Sequence, residues 1–206
     1  MKLYYFPGAC SLASHIVLKE TGKPFSIDKV DFKDRMTESG ENYAAINPKG
    51  YVPAIRLDDG ELLTEGSAIL QYLADQTPES GLAPANGTMA RVRLQETLNF
   101  ITSELHKSFS PLFSEDEKLE PAREAAREKL VSRFGLIETD LSDGRKYITG
   151  DSFSVADAYL FTVASWGNHV GFSLDAFPNL QALLARISAR PAVKAALQAE
   201  GLLKTA

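Results

Sequence analysis

Cys10, the chain's one cysteine, lies in the run Tyr5-Phe6-Pro7-Gly8-Ala9-Cys10-Ser11, between a strand-like stretch, Lys2 to Tyr5, and a helix-like one, Ser11 to Thr21. A thiol at that point is a candidate thiolate, because a helix start offers unpaired backbone N–H groups and about half a positive charge. Pro7 and Gly8 supply the turn, and Ser11 is expected as the N-cap. A helix end contributes about 0.3–1 kcal/mol, up to ~2 when partly buried, so it lowers a thiol of pKa about 8.5 by about one unit. A second stabilising group must come from elsewhere in the chain.

Asn99, Ser103 and His106 follow a spacing that puts them on one stripe of a helix. The imidazole N–H of His106, or the ammonium of Lys107, is of the right kind to stabilise a thiolate. Val52-Pro53 precedes a strand; with a cis bond it would present the Val52 N–H and C=O to an extended peptide. Thr64-Glu65-Gly66-Ser67 runs from a strand into a helix, where the Gly66 and Ser67 N–H groups suit a carboxylate and Glu65 suits an ammonium. An α-amino acid end carries both charges. Each feature also has a plain structural reading: a small buried thiol, a solvated helix face, a trans-proline at a strand start, a helix cap.

The elements that must position these groups fall into two sets. Strand-like runs at Lys2 to Tyr5, Ser26 to Val30, Ala54 to Leu57 and Leu62 to Thr64 alternate with helix-like runs at Ser11 to Thr21 and Ser67 to Gln76. They read as β-α-β followed by β-β-α, with a short helix near Glu41 to Ala45 and a hairpin turn at Asp58-Asp59-Gly60. Thr77 to Gly87 is rich in Pro and Gly and has no apolar period, which marks a connection. The division expected is 1–80, a linker at 81–87, and a helical part at 88–206. Its helices are placed at Met89 to Phe113, Pro121 to Leu141, Val155 to Val170, Pro178 to Ser188 and Pro191 to Glu200. Pro121, Pro178 and Pro191 suit first helical turns. Ser154 and Asp157 form a capping-box-like pair, with Phe153 placed to staple against Ala158.

Over 206 residues, 22 Lys and Arg stand against 27 Asp and Glu, and no basic run is interleaved with aromatics, so no nucleic-acid surface is indicated. One cysteine excludes an internal disulfide framework, and the three histidines show no zinc spacing, so no metal is expected. Neither a signal peptide nor a membrane span is recognisable, which suits a cytoplasmic location.

Pro7-Gly8-Ala9-Cys10-Ser11-Leu12, Asn47-Pro48-Lys49-Gly50, Val52-Pro53-Ala54, Leu63-Thr64-Glu65-Gly66, Glu104-Leu105-His106-Lys107 and Ser154-Val155-Ala156-Asp157-Ala158-Tyr159-Leu160 together resemble the bacterial beta-class glutathione transferases, over the whole chain. The resemblance implies an α/β thioredoxin-like N-terminal domain, an all-α C-terminal domain, a homodimer, and glutathione as co-substrate. It implies Cys10 as the thiol at the glutathione sulfur, Val52 as the residue before a cis-proline, and Glu65 and Gly66 as γ-glutamyl binders. His106 would polarise the sulfur, while Asn99, Ser103 and Glu104 would complete the site, with contributions from the partner subunit. The family often has Lys where this chain has Arg35, a change that keeps a cation for the glycine carboxylate. The activity implied is attack of the glutathione thiolate on a hydrophobic electrophile, in a pocket for which Phe6, Phe109, Phe113, Tyr159 and Trp166 are the candidates. Tyr5 and Ser11 are alternative activating hydroxyls, which would leave Cys10 a redox or binding thiol. Two other readings are a monothiol disulfide reductase and a non-catalytic binder of hydrophobic compounds.

Overall fold

A computed structural model describes residues 1–203. The chain divides into two compact units, Met1–Ala83 together with the segment from Ala189 onward, and Pro84–Ser188.

In the first unit, β1 (Lys2–Tyr5), β2 (Ser26–Asp31), β3 (Met36–Thr37), β4 (Ala54–Arg56) and β5 (Leu62–Thr64) form one sheet in the order β3-β2-β1-β4-β5. β1 and β2 are parallel, as their connection through helix α1 (Ser11–Thr21) requires. β4 is antiparallel to both β1 and β5. The β4–β5 turn closes with the Leu57 N–H on the Glu61 carbonyl at 2.8 Å. α2 (Tyr43–Ile46) is capped by Asn42, and α3 (Gly66–Asp75) follows β5 directly. β1 is the central strand, and its Leu3, Tyr4 and Tyr5 are all buried. β3 is too short to stand out in the sequence.

The second unit is helical: α4 (Met89–Phe100), a π turn (Ile101–His106), α5 (Lys107–Phe109), α6 (Glu120–Leu141), α7 (Val155–Ser165), α8 (Gly167–Val170) and α9 (Pro178–Ser188). The sequence reads 89–113 as one helix. Its middle instead opens into i→i+5 bonding, and its end tightens to a 3₁₀ turn at Ser110–Phe113, where Pro111 lacks the N–H that a further α turn would use. Leu94, Leu98, Ile101, Leu105 and Phe109 from this stretch are buried, as are Leu130, Phe134 and Ile137 of α6. α7 begins at the expected capping pair: the Asp157 carboxylate accepts the Ser154 N–H and the Ser154 hydroxyl, each at 2.8 Å. Phe153 meets the ring of Tyr147 edge-on, with centroids 5.8 Å apart.

One boundary moves. Every residue of α1 from Ser11 to Leu18 is buried. A helix buried all round must be covered on several faces, and α1 is covered by β1, by α3 and by α10 (Pro191–Ala199). The end of the chain therefore belongs with the first unit, not with the helical part to which the 88–206 division assigns it. Behind α10, the Glu200 carboxylate accepts the Gly8 N–H at 2.9 Å and lies 2.9 Å from His15 Nδ1.

Candidate active site

In the first unit the thiol, the cis-proline and the Glu65 turn are linked by a chain of contacts. Cys10, not Ser11, is the N-cap of α1. Ser11 is fully buried, and its hydroxyl both receives the Phe6 N–H and donates to the Phe6 carbonyl at 3.2 Å. That hydroxyl pins the turn that carries the thiol. Tyr5, the other candidate hydroxyl, is also buried, and burial pushes its pKa up. The Val52–Pro53 peptide bond is cis, and the Val52 carbonyl accepts the Cys10 thiol proton at 3.0 Å. Gly66 packs against Pro53: a Cβ built on it would lie 3.8 Å from the proline Cγ.

Glu65 precedes α3 with φ 70 and ψ 110, a backbone that non-glycine residues seldom adopt and that clusters at functional positions. Its exposed carboxylate pairs with Lys49 at 2.7 Å, and Lys49 also donates to the Thr64 hydroxyl at 3.0 Å. Lys49 reaches it from a turn built by Asn47, which is buried: the Asn47 side chain accepts the Lys49 N–H and donates to the Tyr51 carbonyl. Tyr43 donates to the same carbonyl at 2.7 Å. Arg35 has a positive φ of 59 and lines, with Phe32, Lys49 and Tyr51, a cavity of about 350 Å³. Two cations thus border that cavity. Asn47-Pro48-Lys49-Gly50 is legible in the sequence as a turn, and no spacing signal ties Lys49 to Glu65.

In the second unit, Asn99 and Ser103 share an exposed face, joined by the Ser103 hydroxyl on the Asn99 carbonyl at 3.0 Å. His106, at the end of the π turn, is half-buried instead. Its Nδ1 lies 2.7 Å from the Tyr159 hydroxyl, and the Trp166 ring stands edge-on to it at 4.8 Å. Burial, with a smaller contribution from the Lys107 ammonium, pushes its pKa down to about 4. At neutral pH the ring is an uncharged donor and acceptor. Glu104 turns to α6, where Arg133 at 2.7 Å and Lys129 at 3.4 Å hold its carboxyl below the usual range.

The five pocket candidates separate by exposure. Phe6 and Phe113 are exposed, the former against Phe32 and the latter against Trp166. Phe109 is wholly buried against Phe134, Phe172 and Trp166, and so packs the core of its unit. Tyr159 and Trp166 are buried too, and both attend His106. Among the described residues no cluster of His, Cys, Asp and Glu could hold a metal ion, and no helix is long and apolar enough to cross a membrane.

Residues 8–76 match the model of the glutathione S-transferase N-terminal domain, and residues 100–191 that of the C-terminal domain. The chain is 46% identical over 202 residues to glutathione S-transferase GstA of Escherichia coli O157:H7, covering 98% of this chain and 100% of that one. It is 49% identical to a sphingomonad glutathione S-transferase solved with glutathione, with a TM-score of 0.93 and coverage of 98% and 100%. The bacterial beta class enzyme of Sphingomonas chungbukensis is 48% identical, with a TM-score of 0.94 and the same coverage. With both halves matched and this likeness running end to end, the chain belongs to the glutathione S-transferase family, in its bacterial beta class.

Proposed function

We propose that the enzyme binds glutathione along the surface that joins Cys10, Val52, Pro53, Glu65 and Gly66, and adds its sulfur to hydrophobic electrophiles. The observation that carries this reading is the chain of contacts from Cys10 through Val52-Pro53 to Gly66. The Cys10 thiol meets the Val52 carbonyl, and Pro53 stands where a Cβ on Gly66, the residue after Glu65, would come within 3.8 Å of its Cγ. A γ-glutamyl tripeptide needs those features together: a carboxylate for its ammonium, a helix N–H for its carboxylate, and main-chain groups to pair with its backbone. Arg35 takes the glycine carboxylate. Asn99, Ser103 and Glu104 complete the site in a homodimer, and His106 donates its ring N–H to the glutathione sulfur. The exposed rings of Phe6 and Phe113, with Trp166 behind the latter, offer apolar surface to the electrophile.

With an activated aryl halide, the thiol proton passes to solvent, and the thiolate electron pair forms the sulfur–carbon bond. The halide departs with the electron pair of the broken carbon–halogen bond. Hydrogen bonds and helix-end dipoles act by favouring the thiolate. Cys10 serves as a protonated thiol beside that sulfur, since a second thiolate would repel the first. Its bond to Val52 requires the proton on sulfur, which supports that state.

The test measures aryl-halide conjugation and reduction of a glutathione mixed disulfide in wild type and in Cys10→Ala. Conjugation largely retained, with disulfide reduction lost, supports Cys10 as a redox and binding thiol in a conjugating enzyme. If both activities collapse together, Cys10 itself activates the sulfur and its role here is wrong. A mass shift of one glutathione on Cys10 after exposure to oxidised glutathione, reversed by a reductant, is expected. There the Cys10 thiolate displaces one glutathione thiolate from the disulfide.

A further inference from the structure

We infer that Tyr159 is a positioning residue for the reaction: its hydroxyl sets the tautomer of His106, so that the imidazole presents its Nε2–H as a neutral donor. The inference rests on the reading of His106 as the donor to the glutathione sulfur, and adds what makes it one.

The two groups come from different helices. His106 ends the π turn, and Tyr159 lies on α7 two residues beyond Asp157. The Asp157 carboxylate is buried and accepts N–H groups from Ile148 and Ser154, each at 2.8 Å, so the first turn of α7 is tied to the preceding loop. Tyr159 is therefore held by a fixed helix, and its ring is itself buried. The imidazole is confined by the Trp166 ring at 4.8 Å and the Tyr159 ring at 6.0 Å, both nearly perpendicular to it. A flip of the ring would replace Nδ1 by a carbon and lose the 2.7 Å bond to the hydroxyl.

Proton placement in that bond follows from acidity. A neutral imidazole has one N–H and one bare nitrogen. A phenol, with pKa about 10, is a far stronger acid than a neutral imidazole N–H, and the bare nitrogen is a better base than a phenol oxygen. The O–H···Nδ1 arrangement is the stronger one, and it leaves the hydrogen on Nε2. Without the hydroxyl, the ring can exchange tautomers, and the Nδ1–H form turns a bare lone pair to whatever Nε2 faces. Toward a thiolate, that lone pair is repulsive.

The experiment uses full-length protein labelled with 15N at histidine, with and without glutathione, comparing wild type with Tyr159→Phe. Wild-type His106 is expected to show a bare Nδ1 and a protonated Nε2, and Tyr159→Phe should draw the two shifts toward each other as tautomers mix. The phenylalanine ring keeps the packing, and an unchanged thermal transition checks that it does. Nδ1 protonated in the wild type, or a tautomer balance unmoved in Tyr159→Phe, would overturn the inference. In parallel, the ultraviolet absorbance of the bound glutathione thiolate is titrated. An increase of about one unit in its midpoint in Tyr159→Phe, a tenfold loss of thiolate, supports both the inference and the His106 role. A tautomer shift with the midpoint unchanged supports Tyr159 as what sets the His106 tautomer, but overturns His106 as the sulfur's donor and with it the positioning role in the reaction. If Tyr159→Phe loses its fold, the difference between labelled wild-type and His106→Gln spectra assigns the wild-type tautomer, and a protonated Nδ1 there overturns the inference.

Discussion

The Glu200 carboxylate accepts the main-chain N–H of Gly8 at 2.9 Å, across 192 positions of sequence. Gly8 lies two residues before Cys10, in a left-handed conformation with φ 73, so Glu200, just after α10, helps to hold the loop that presents the thiol. The same carboxylate meets His15 on α1 at 2.9 Å, and both side chains are fully buried. Replacing Glu200 by Ala removes the acceptor of a part-buried N–H and the partner of a buried imidazole nitrogen, the latter at about 1–3 kcal/mol and the former at less. Glu200→Ala is expected to lose about 1–4 kcal/mol of unfolding free energy in a urea titration, with Glu200→Gln losing less because it retains an acceptor. A loss under about 1 kcal/mol in Glu200→Ala would show that the clamp contributes little.

Acid should weaken the protein through His106. Its folded pKa, about 4, lies below the usual value of 6.5. Between those values the unfolded chain binds a proton that the folded chain does not, so unfolding is favoured as pH falls. The stability that the neutral ring contributes is complete above pH 6.5 and is lost as pH drops toward 4, amounting to about 3 kcal/mol over the whole window. Urea titrations of wild type and His106→Gln from pH 7.5 down to 4.5 should diverge, the wild type falling more steeply. Parallel curves would remove His106 as the source.

Glu65 and Lys49 allow a test of recognition. Both side chains are more than half exposed, and such an ion pair is worth about 0–1 kcal/mol. Lys49→Met should therefore leave folding stability nearly unchanged. Glu65→Ala removes the carboxylate that the γ-glutamyl ammonium would meet, and calorimetry should show glutathione binding weakened by about 2–4 kcal/mol if binding desolvates the pair. Equal affinity in Glu65→Ala and wild type would take Glu65 out of the glutathione site.

Local signals carried much of this architecture into the sequence. Pro178 and Pro191 each open the helix they announce, and the Ser154 and Asp157 pair caps α7 as the spacing requires. Cys10 was legible as a residue at a strand–turn–helix junction. The π turn was not, because the buried positions Leu98, Ile101, Leu105 and Phe109 keep nearly the spacing of an ordinary helix. The return of α10 to the first unit was hidden for a different reason: a Pro- and Gly-rich linker shows where the chain leaves a unit, and nothing comparable marks where it comes back. Pairs such as His106 with Tyr159, 53 residues apart, depend on how helices pack. Tyr159 looked like a pocket aromatic because its ring is visible in sequence and its hydroxyl's partner is not.

Asp157 supplies the last test. Its side chain is wholly buried, and burial pushes its pKa up to about 6 even though the Ile148 N–H, the Ser154 N–H and the Ser154 hydroxyl all pull it down. The carboxylate joins the loop at Ile148 to the start of α7, the helix that carries Tyr159. Asp157→Ala leaves two buried N–H donors without an acceptor, and the expected loss is about 3–5 kcal/mol. Asp157→Asn, with one carbonyl oxygen in place of two carboxylate oxygens, can satisfy only part of the set and should lose about half as much. Because the damage begins at the α7 start, hydrogen exchange in Asp157→Asn should quicken first at Ile148 and Ser154 and along the first turns of α7. Exchange that quickens uniformly over the second unit, with no early change at those amides, would mean that Asp157 supports the fold as a whole and does not anchor this helix start.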